Sequence, residues 1–287
     1  MSKYPEFGGI EKEFSPEPIE AAFVSVASEE HPDRNEDSVL FDKAHSLFAV
    51  FDGMGGHAAG EVASSIAQKY VGEKLAALPR ELEPEEIRKS FDRILEGANQ
   101  MILEKSRQSE EKKGMGTTAT VLKLWQSESG EERAVIGNLG DSRVYRLTKE
   151  GTLEQATLDD SLARERLGPK DAMELEAKFG NLTSLEALSS SEKTFWHLRN
   201  VITNNLGRER AVPRTQIQNL DNVVALLITS DGIHDNLIHD EIAEILKNKN
   251  NPEEAAHELV LKARERSRDK SHPRAKPDDM SAIVVLV

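Results

Sequence analysis

The chain has 287 residues, of which 38% are hydrophobic and 31% are charged, a length that suffices for one large domain or two ordinary ones. Its 51 acidic and 37 basic residues give a net charge of −14. This charge argues against nucleic acid or an anionic membrane as a main partner, because both require a basic surface. The sequence contains no cysteine, so disulfides, thiolate zinc sites and a cysteine nucleophile are excluded.

The N-terminal residues alternate in charge and contain no apolar stretch of the kind found in secretory signals. The longest apolar runs, at residues 223–228 and 282–287, are far too short to cross a bilayer. We therefore expect a cytoplasmic protein with no membrane partner, and we expect it to be a monomer.

Seven runs rich in β-branched or aromatic residues predict strands. They span residues 21–27, 46–52, 117–125, 133–139, 142–147, 223–229 and 282–287. The segment RAVIGNLGDSRVYRL predicts a hairpin between the fourth and fifth runs, with its turn at Gly140 and Asp141. Because consecutive strands occur without helices between them, the sequence favours antiparallel sheets in an α+β layered domain.

Helical patterns occupy other parts of the chain. Apolar residues recur with a period of 3.6 from Ile87 to Ile102, and residues 61–78 and 241–246 also fit helices. Asn251 and Pro252 predict the start of another helix, as its N-cap and its first helical residue. Residues 161–198 are polar and helix-prone between two strand-rich regions. We interpret them as a flap inserted into a single domain that spans residues 1–287.

Acidic residues recur where the predicted strands begin or end. Asp52 and Asp231 each follow an apolar run and precede a glycine, while Asp278 precedes the last run. A carboxylate at the end of a buried strand is held rigidly, and several such ends can converge. Carboxylate oxygens in a chain without cysteine suit a hard divalent cation, Mg²⁺ or Mn²⁺. Asp-Gly is also a common turn pair, so each aspartate taken alone has a turn-capping role as its alternative.

The segment FDGMGGHAAGE, residues 51–61, combines an aspartate, four glycines and a histidine. It is not a nucleotide-binding loop, because it lacks the GK[ST] ending of a P-loop and its spacing is not G-x-G-x-x-G. Gly55 and Gly56 are expected to let the chain turn sharply into a helix that begins near His57.

Eight motifs in order resemble those of the metal-dependent serine/threonine protein phosphatases of the type 2C (PPM) family, in its bacterial-like form. They are RNEDSV, VFDGMGGHAAGE, GMGTTAT, NLGDSRVYRL, TLDDS, VIT-x-x-LG, LITSDGIHD and PDDMSAIVV. The resemblance runs from about residue 20 to the C-terminus. It implies a four-layer α-β-β-α sandwich of two antiparallel sheets flanked by helices. It also implies hydrolysis of phosphoserine and phosphothreonine on phosphoproteins, the targets of a serine/threonine kinase, at a binuclear Mg²⁺ or Mn²⁺ centre.

The resemblance assigns metal ligands residue by residue. Asp52 would bridge the two metals, and the carbonyl oxygen of Gly53 would bind one of them. Asp231 and Asp278 would complete the ligands of the other metal. Two metals at such a centre can share a water, lower its pKa and clamp the phosphoryl oxygens during in-line attack.

Three further acidic residues have assigned roles. Glu36 and Asp37 would hold metal-bound waters, and Asp141 would form a third metal site together with Asp231. The family usually has a phosphate-binding arginine four residues before the position of Glu36, where this chain has Pro32. Arg34 is the candidate replacement, and an ordinary surface arginine is the alternative.

Two other positions depart from the family pattern. Many members have a histidine directly after the bridging Asp-Gly, where it can act as general acid, but this chain has Met54. His57 lies close by in the sequence, and we expect it to be structural. The last motif usually contains Asp-Asn and here contains Asp278 and Asp279. These departures leave a second hypothesis, a binding or scaffold protein with a degenerate site, although the three main aspartates oppose it.

Overall fold

A computed structural model of the protein describes residues 19–55, 59–79, 82–126, 132–249 and 251–287. Within these ranges the chain forms eleven strands and eight α-helices. The strands are β1 (Ala21–Val26), β2 (Asp37–Asp42), β3 (Leu47–Met54), β4 (Gly116–Thr117), β5 (Ala119–Gln126), β6 (Glu132–Leu139), β7 (Arg143–Thr148), β8 (Leu153–Gln155), β9 (Arg214–Asn219), β10 (Val223–Thr229) and β11 (Met280–Leu286). The helices are α1 (Ala59–Ala76), α2 (Pro84–Ser106), α3 (Leu162–Leu167), α4 (Pro169–Gly180), α5 (Ser190–His197), α6 (Asp231–His234), α7 (His239–Asn248) and α8 (Pro252–Arg268).

The strands form two sheets, and the described pairings in both are antiparallel. One sheet has the order β1-β11-β10-β7-β8, and the other has the order β2-β3-β5-β6-β9 with β4 paired to β3. The sheets pack against each other, with α7 and α8 outside the first and α1 and α2 outside the second. The predicted four-layer sandwich of the α+β class is therefore confirmed.

Alternation along the central strands explains these layers, because successive side chains of a strand point to opposite faces. In β3, Phe48 and Val50 pack between the two sheets, whereas Leu47, Ala49 and Phe51 pack under α1 and α2. β11 alternates in the same way between the core that joins the sheets and the core under α7 and α8. Both strands are continuous apolar runs in the sequence because both of their faces are buried.

Two predictions about the outer helices are confirmed: the apolar face of α2 is buried, and α8 begins at the predicted residue. The stripe from Ile87 to Ile102 is buried along α2. At the start of α8, the side chain of Asn251 accepts a 2.8 Å hydrogen bond from the backbone of Glu253, and Pro252 is the first helical residue. Among the described residues, no helix is both long enough and apolar enough to cross a membrane.

The hairpin predicted at Gly140 and Asp141 is wrong. β6 pairs with β5 and β9, whereas β7 pairs with β10 and β8, so the chain crosses here from one sheet to the other. Gly140 permits the crossing, since its φ of 100° lies in the region that favours glycine. Because Arg143 pairs with Thr229, the crossing brings Asp141 to the end of β10, next to Asp231.

The segment 161–198 forms α3, α4 and α5, as its helix-prone composition predicts. The rings of Phe179 and Trp196 meet edge to face at 5.1 Å inside it. Arg274 holds the segment against the rest of the chain. Its guanidinium lies 5.4 Å from the Trp196 ring centroid and donates a 2.6 Å hydrogen bond to the carbonyl oxygen of Phe179. That the segment acts as a flap within one domain stays a prediction.

Candidate metal centre

Two acidic residues face each other where β2 begins and β3 ends. Asp37 and Asp52 are partners in the antiparallel register of the two strands. Asp37 is buried, and its Oδ2 accepts a 2.7 Å hydrogen bond from the hydroxyl of Ser281 on β11. This bond links the two sheets, so carboxylates from both sheets share one end of the sandwich.

Two threonines fix the backbone of Asp52. The carbonyl oxygen of Asp52 accepts hydrogen bonds from the backbone N–H of Thr118 at 2.8 Å and from the hydroxyl of Thr117 at 2.9 Å. The backbone N–H of Asp52 donates in turn to the Thr118 hydroxyl at 2.9 Å. The motif GMGTTAT therefore holds the predicted bridging aspartate rigidly in place.

A glycine pair lets the first turn of α1 approach the end of β3. A Cβ added to Gly53 would meet the carbonyl oxygen of Gly60 and would lie 2.5 Å from the carbonyl oxygen of Glu36. A Cβ added to Gly60 would lie 2.8 Å from the carbonyl carbon of Gly53. Both positions require glycine because backbone fills the space that a side chain would need.

Asp231 occupies the first position of the short helix α6, directly after β10. Its carboxylate is buried, and Oδ2 pairs with the ammonium of Lys276. The helix packs closely on the segment before β11, since a Cβ added to Gly232 would meet the carbonyl oxygen of Asp279. Residues at the ends of β10 and at the start of β11 are therefore held together.

Asp278 and Asp279 precede β11 and have different surroundings. The Asp278 side chain is 34% exposed, and its Oδ2 lies 3.0 Å from the ammonium of Lys276. Asp279 is buried and accepts backbone hydrogen bonds from Ser28 at 2.7 Å and from Glu36 at 2.6 Å, one on each carboxylate oxygen. Asp279 therefore fixes the segment that carries Glu36, and both of its oxygens are occupied by protein donors.

The carboxylates are close enough to perturb one another. Burial raises the pKa of Asp52 well above its usual range, and the carboxylates of Asp37, Asp231, Asp278 and Asp141 raise it further. Burial likewise raises the pKa of Asp37 to about 8, and it raises the pKa of Asp231 to about 7 although Lys276 lowers the latter. Burial and neighbouring negative charges both destabilise an ionised carboxylate, and cations beside it stabilise the ionised form.

The donor set suits hard cations. Within the described residues, the buried carboxylate oxygens that have no hydrogen-bond partner include Glu36 Oε1, Asp141 Oδ1 and Asp231 Oδ1, three of the predicted ligands. No three acidic or histidine side chains of the described ranges stand close enough together to hold a metal ion in their present positions. The structure thus gathers the predicted residues at one end of the sandwich, and their chemistry fits Mg²⁺ or Mn²⁺. Their individual roles as ligands stay predictions.

The remaining predicted residues lie around this cluster. The Arg34 side chain is 33% exposed, and its Nη2 lies 3.5 Å from Glu36 Oε1, which places it beside the carboxylates. Met54 is the last residue of β3, two positions after Asp52. His57, which we expected to be structural, lies outside the described residues.

The sequence analysis did not single out three residues of the cluster, Lys276, Asp235 and Asn236. Lys276 contacts both Asp231 and Asp278, and its ammonium also lies 3.5 Å from Asp235 Oδ2. The side chain of Asn236, which is fully buried, bonds the backbone of Lys276. A lysine two positions before a predicted ligand was the available signal, but lysine is usually a surface residue and nothing local distinguishes this one.

Comparison with known proteins identifies the family. Residues 29–263 match the sequence model of the family described as Protein phosphatase 2C. The serine/threonine phosphatase stp of Listeria monocytogenes is 31% identical over 218 residues, which cover 76% of this chain and 78% of the relative. The protein phosphatase PhpP of Streptococcus pneumoniae is 32% identical over 203 residues, covering 70% of this chain and 72% of the relative. The chain therefore belongs to the protein phosphatase 2C family, and its predicted class, a protein phosphatase, is confirmed.

Solved structures show the same architecture. The serine/threonine phosphatase of S. agalactiae aligns with a TM-score of 0.74 and 25% identity, covering 94% of this chain and 99% of that one. The catalytic domain of the serine/threonine protein phosphatase PstP, solved in complex with two manganese ions, aligns with a TM-score of 0.71 and 25% identity. That alignment covers 93% of this chain and 97% of the PstP chain.

Proposed function

We propose that the chain hydrolyses phosphoserine and phosphothreonine on proteins at a centre of two Mg²⁺ or Mn²⁺ ions. The observation that carries this proposal is the convergence of acidic residues from both sheets at one end of the sandwich. Asp37 and Asp52 come from one sheet, while Asp231 and Asp278 flank strands of the other. The names of the relatives and the two manganese ions of PstP support the same function.

The proposed ligands follow from the family pattern and from this arrangement. Asp52 would hold both ions, and the threonine hydrogen bonds fix the backbone from which its carboxylate extends. The carbonyl oxygen of Gly53 would bind one ion, and Asp231 and Asp278 would bind the other. The unpartnered Oδ1 of Asp231 supports its assignment, because a buried carboxylate oxygen without a donor is costly unless a cation meets it.

The supporting acids lie at the start of β2, where Glu36 precedes the strand and Asp37 is its first residue. Glu36 and Asp37 orient water at the centre, and Asp279 holds the backbone of Glu36 in place. When bound, the two cations lower the pKa of a shared water and stabilise charge on the phosphoryl oxygens, so no covalent nucleophile is needed. The absence of cysteine from the sequence agrees with such a reaction.

The chain also has groups to bind the substrate. Arg34 lies at the rim beside Glu36, where its guanidinium can hold a phosphate in two hydrogen bonds. Met54 carries no acidic proton, so the leaving alcohol takes its proton from a group at another position. Residues 161–198 form the flap and set the choice of phosphoprotein. Exchanging this segment for that of a relative should change peptide preference, and an unchanged preference would contradict this role.

The biological setting follows from the activity and the sequence. We assign the protein to the cytoplasm as a monomer that reverses the action of a serine/threonine kinase. The chain carries a net charge of −14, which agrees with protein substrates rather than nucleic acid.

Phosphate release from a panel of phosphopeptides tests the proposed function. We expect the wild-type protein to dephosphorylate phosphoserine and phosphothreonine peptides with Mn²⁺, to lose this activity without it, and to leave phosphotyrosine controls intact. Asp231→Asn should abolish the activity, whereas Asp221→Asn, at an exposed turn, should not change it. A folded wild-type protein that releases no phosphate from any peptide with Mn²⁺ would overturn the proposal.

A further inference from the structure

Asp160 is a buried carboxylate outside the set of proposed metal ligands. The residue is only 1% exposed. Its Oδ2 accepts hydrogen bonds from the backbone N–H of Gly140 at 3.1 Å and from Asn204 Nδ2 at 2.7 Å. Its Oδ1 forms an ion pair with the guanidinium of Arg214 on β9. None of these partners is a proposed ligand, so the proposed metal centre does not by itself account for this buried charge.

Asp160 holds Gly140 through both of the backbone polar groups of the glycine. Besides accepting from the N–H of Gly140, Asp160 donates its own backbone N–H to the carbonyl oxygen of Gly140 at 2.9 Å. Gly140 is the point at which the chain crosses from β6 to β7. Its carbonyl belongs to the peptide group that joins it to Asp141. The two bonds therefore fix the backbone from which the Asp141 side chain extends.

The position of Asp141 depends on this backbone. Asp141 is buried, and its Oδ1 has no hydrogen-bond partner among the described residues. On the far side of Asp141, the hydroxyls of Ser142 and Thr118 are hydrogen-bonded at 2.8 Å, and the carbonyl oxygen of Ser142 accepts a 2.9 Å bond from the Thr120 hydroxyl. The crossing is thus held on both sides of Asp141, by Asp160 before it and by two threonines after it.

Asp160 is itself anchored in the segment between α5 and β9. Its carbonyl oxygen accepts hydrogen bonds from the backbone N–H of Thr203 at 2.7 Å and from the Thr203 hydroxyl at 3.1 Å. Asn204, which donates to the Asp160 carboxylate, also donates to the carbonyl oxygen of Val212 at 2.9 Å. Asp160 therefore connects the crossing to a second, hydrogen-bonded part of the chain.

Stability alone does not explain a charge at this place. Removing a carboxylate and a guanidinium from water costs free energy that their attraction offsets only in part, and apolar replacements of buried ion pairs are often as stable. A buried polar group whose partners are all in place instead specifies one arrangement of the backbone around it. The arrangement specified here is that of the crossing at Gly140.

We propose that Asp160 is a positioning residue of the metal centre, which holds Asp141 in place through Gly140. This inference rests on the proposed function and on the role of Asp141 as a metal ligand. Residues that orient a ligand without touching the metal typically account for roughly 10- to 100-fold in metal affinity. Asp160 should therefore affect the binding of one Mn²⁺ ion, the ion that Asp141 holds.

Titration calorimetry of the full chain with Mn²⁺ tests this role. Asp141→Asn identifies the ion that Asp141 binds, as the one whose affinity falls. Asp160→Leu has no acceptor for the N–H of Gly140, and it should weaken the same ion by roughly 10- to 100-fold. Asp160→Asn keeps one acceptor oxygen for Gly140, and the Arg214 side chain, which is 39% exposed, can turn to solvent. This conservative variant should bind Mn²⁺ as the wild type does.

Two further variants separate positioning from general destabilisation. The double variant Asp141→Asn/Asp160→Leu should bind Mn²⁺ no more weakly than Asp141→Asn alone, because Asp160 acts through Asp141. Ile245→Ala is the control, since Ile245 is buried under α7 and α8. It should lower the unfolding temperature without changing the Mn²⁺ affinity. Asp160→Ser, whose side chain is too short to replace the carboxylate, serves if Asp160→Leu does not fold.

The outcomes distinguish the inference from the proposed function. A folded Asp160→Leu or Asp160→Ser protein that binds Mn²⁺ as tightly as the wild type would overturn the inference. So would an equal loss of affinity in Ile245→Ala, or an unchanged affinity in Asp141→Asn. In each case a wild type that releases phosphate with Mn²⁺ leaves the proposed function standing. A folded wild type that binds no Mn²⁺ and releases no phosphate would overturn the proposed function and the inference with it.

Discussion

Replacing Gly53 with alanine should distort the strand end that carries Asp52. The added Cβ would lie 2.5 Å from the carbonyl oxygen of Glu36, about 0.9 Å short of the 3.4 Å at which ordinary contacts begin, and it would also meet the carbonyl oxygen of Gly60. Neither backbone can withdraw easily. The carbonyl oxygen of Glu36 accepts a 3.1 Å hydrogen bond from the N–H of Gly53, and Gly60 lies in the first turn of α1.

The expected cost follows from this overlap. Forcing an extra methyl group into a closely packed site costs about 1–3 kcal/mol, and the upper end applies here because both obstacles are backbone atoms. A loss of about 3 kcal/mol lowers the unfolding temperature of a chain of this size by roughly 5–10 °C. The displaced Gly53 carbonyl should also weaken Mn²⁺ binding, since that oxygen is a proposed ligand.

Differential scanning calorimetry and Mn²⁺ titration measure the two effects. Gly72→Ala is the matched control, because a Cβ there meets only the end of the Leu40 side chain at 3.0 Å. Gly72 also lies inside α1, where alanine is favoured over glycine by about 1 kcal/mol, so this control should be as stable as the wild type or more so. An unfolding temperature and a Mn²⁺ affinity of Gly53→Ala equal to those of the wild type would refute the reasoning.

Two further predictions concern buried acids. Asp279→Asn should lower the free energy of unfolding by about 1–3 kcal/mol, because the new amide turns a donor toward the backbone N–H of Ser28 or Glu36. Chemical denaturation measures this loss, and an unchanged free energy of unfolding would contradict the prediction. Burial raises the pKa of Glu176 from 4.5 to about 8, so the folded chain holds a proton that the unfolded chain releases, and stability is lost as the pH rises from 4.5 through 8. Between pH 5 and pH 9 the wild type should therefore lose up to a few kcal/mol more than Glu176→Gln. The exposed Glu174→Gln on the same helix should behave like the wild type, and parallel pH curves for all three proteins would disprove the shift.

Much of the fold could be predicted because local patterns decide it. The apolar runs of β3, β10 and β11 are continuous since these strands are buried on both faces. The start of α8 follows from Asn251 and Pro252, whose capping roles depend only on neighbouring residues. Acidic residues directly beside such strands were expected to converge, and the structure places Asp37 opposite Asp52 and both Asp231 and Asp278 beside Lys276; their roles as metal ligands stay predictions.

The errors and omissions arise from contacts that sequence does not record. β9 has the sequence RTQIQN and was missed because it is mostly polar and shows no alternation of apolar and polar residues. Such a sequence suits its position at the edge of the sheet. The turn at Gly140 has hairpin chemistry, yet its flanking strands join different sheets. Asp279 bonds the backbone of Glu36 across 243 positions, and only the folded chain shows that it fixes Glu36. Lys276 was missed for the same reason.

The activity of Asp52→Asn tests the proposed metal-dependent hydrolysis most directly. The measurement is kcat/KM for a phosphothreonine peptide in saturating Mn²⁺, with the unfolding temperature of each protein recorded alongside. A bridging carboxylate supports several kcal/mol of transition-state stabilisation, so kcat/KM should fall by roughly 10³-fold or more while the variant stays folded. A folded Asp52→Asn protein with a kcat/KM close to that of the wild type would contradict a centre built on Asp52.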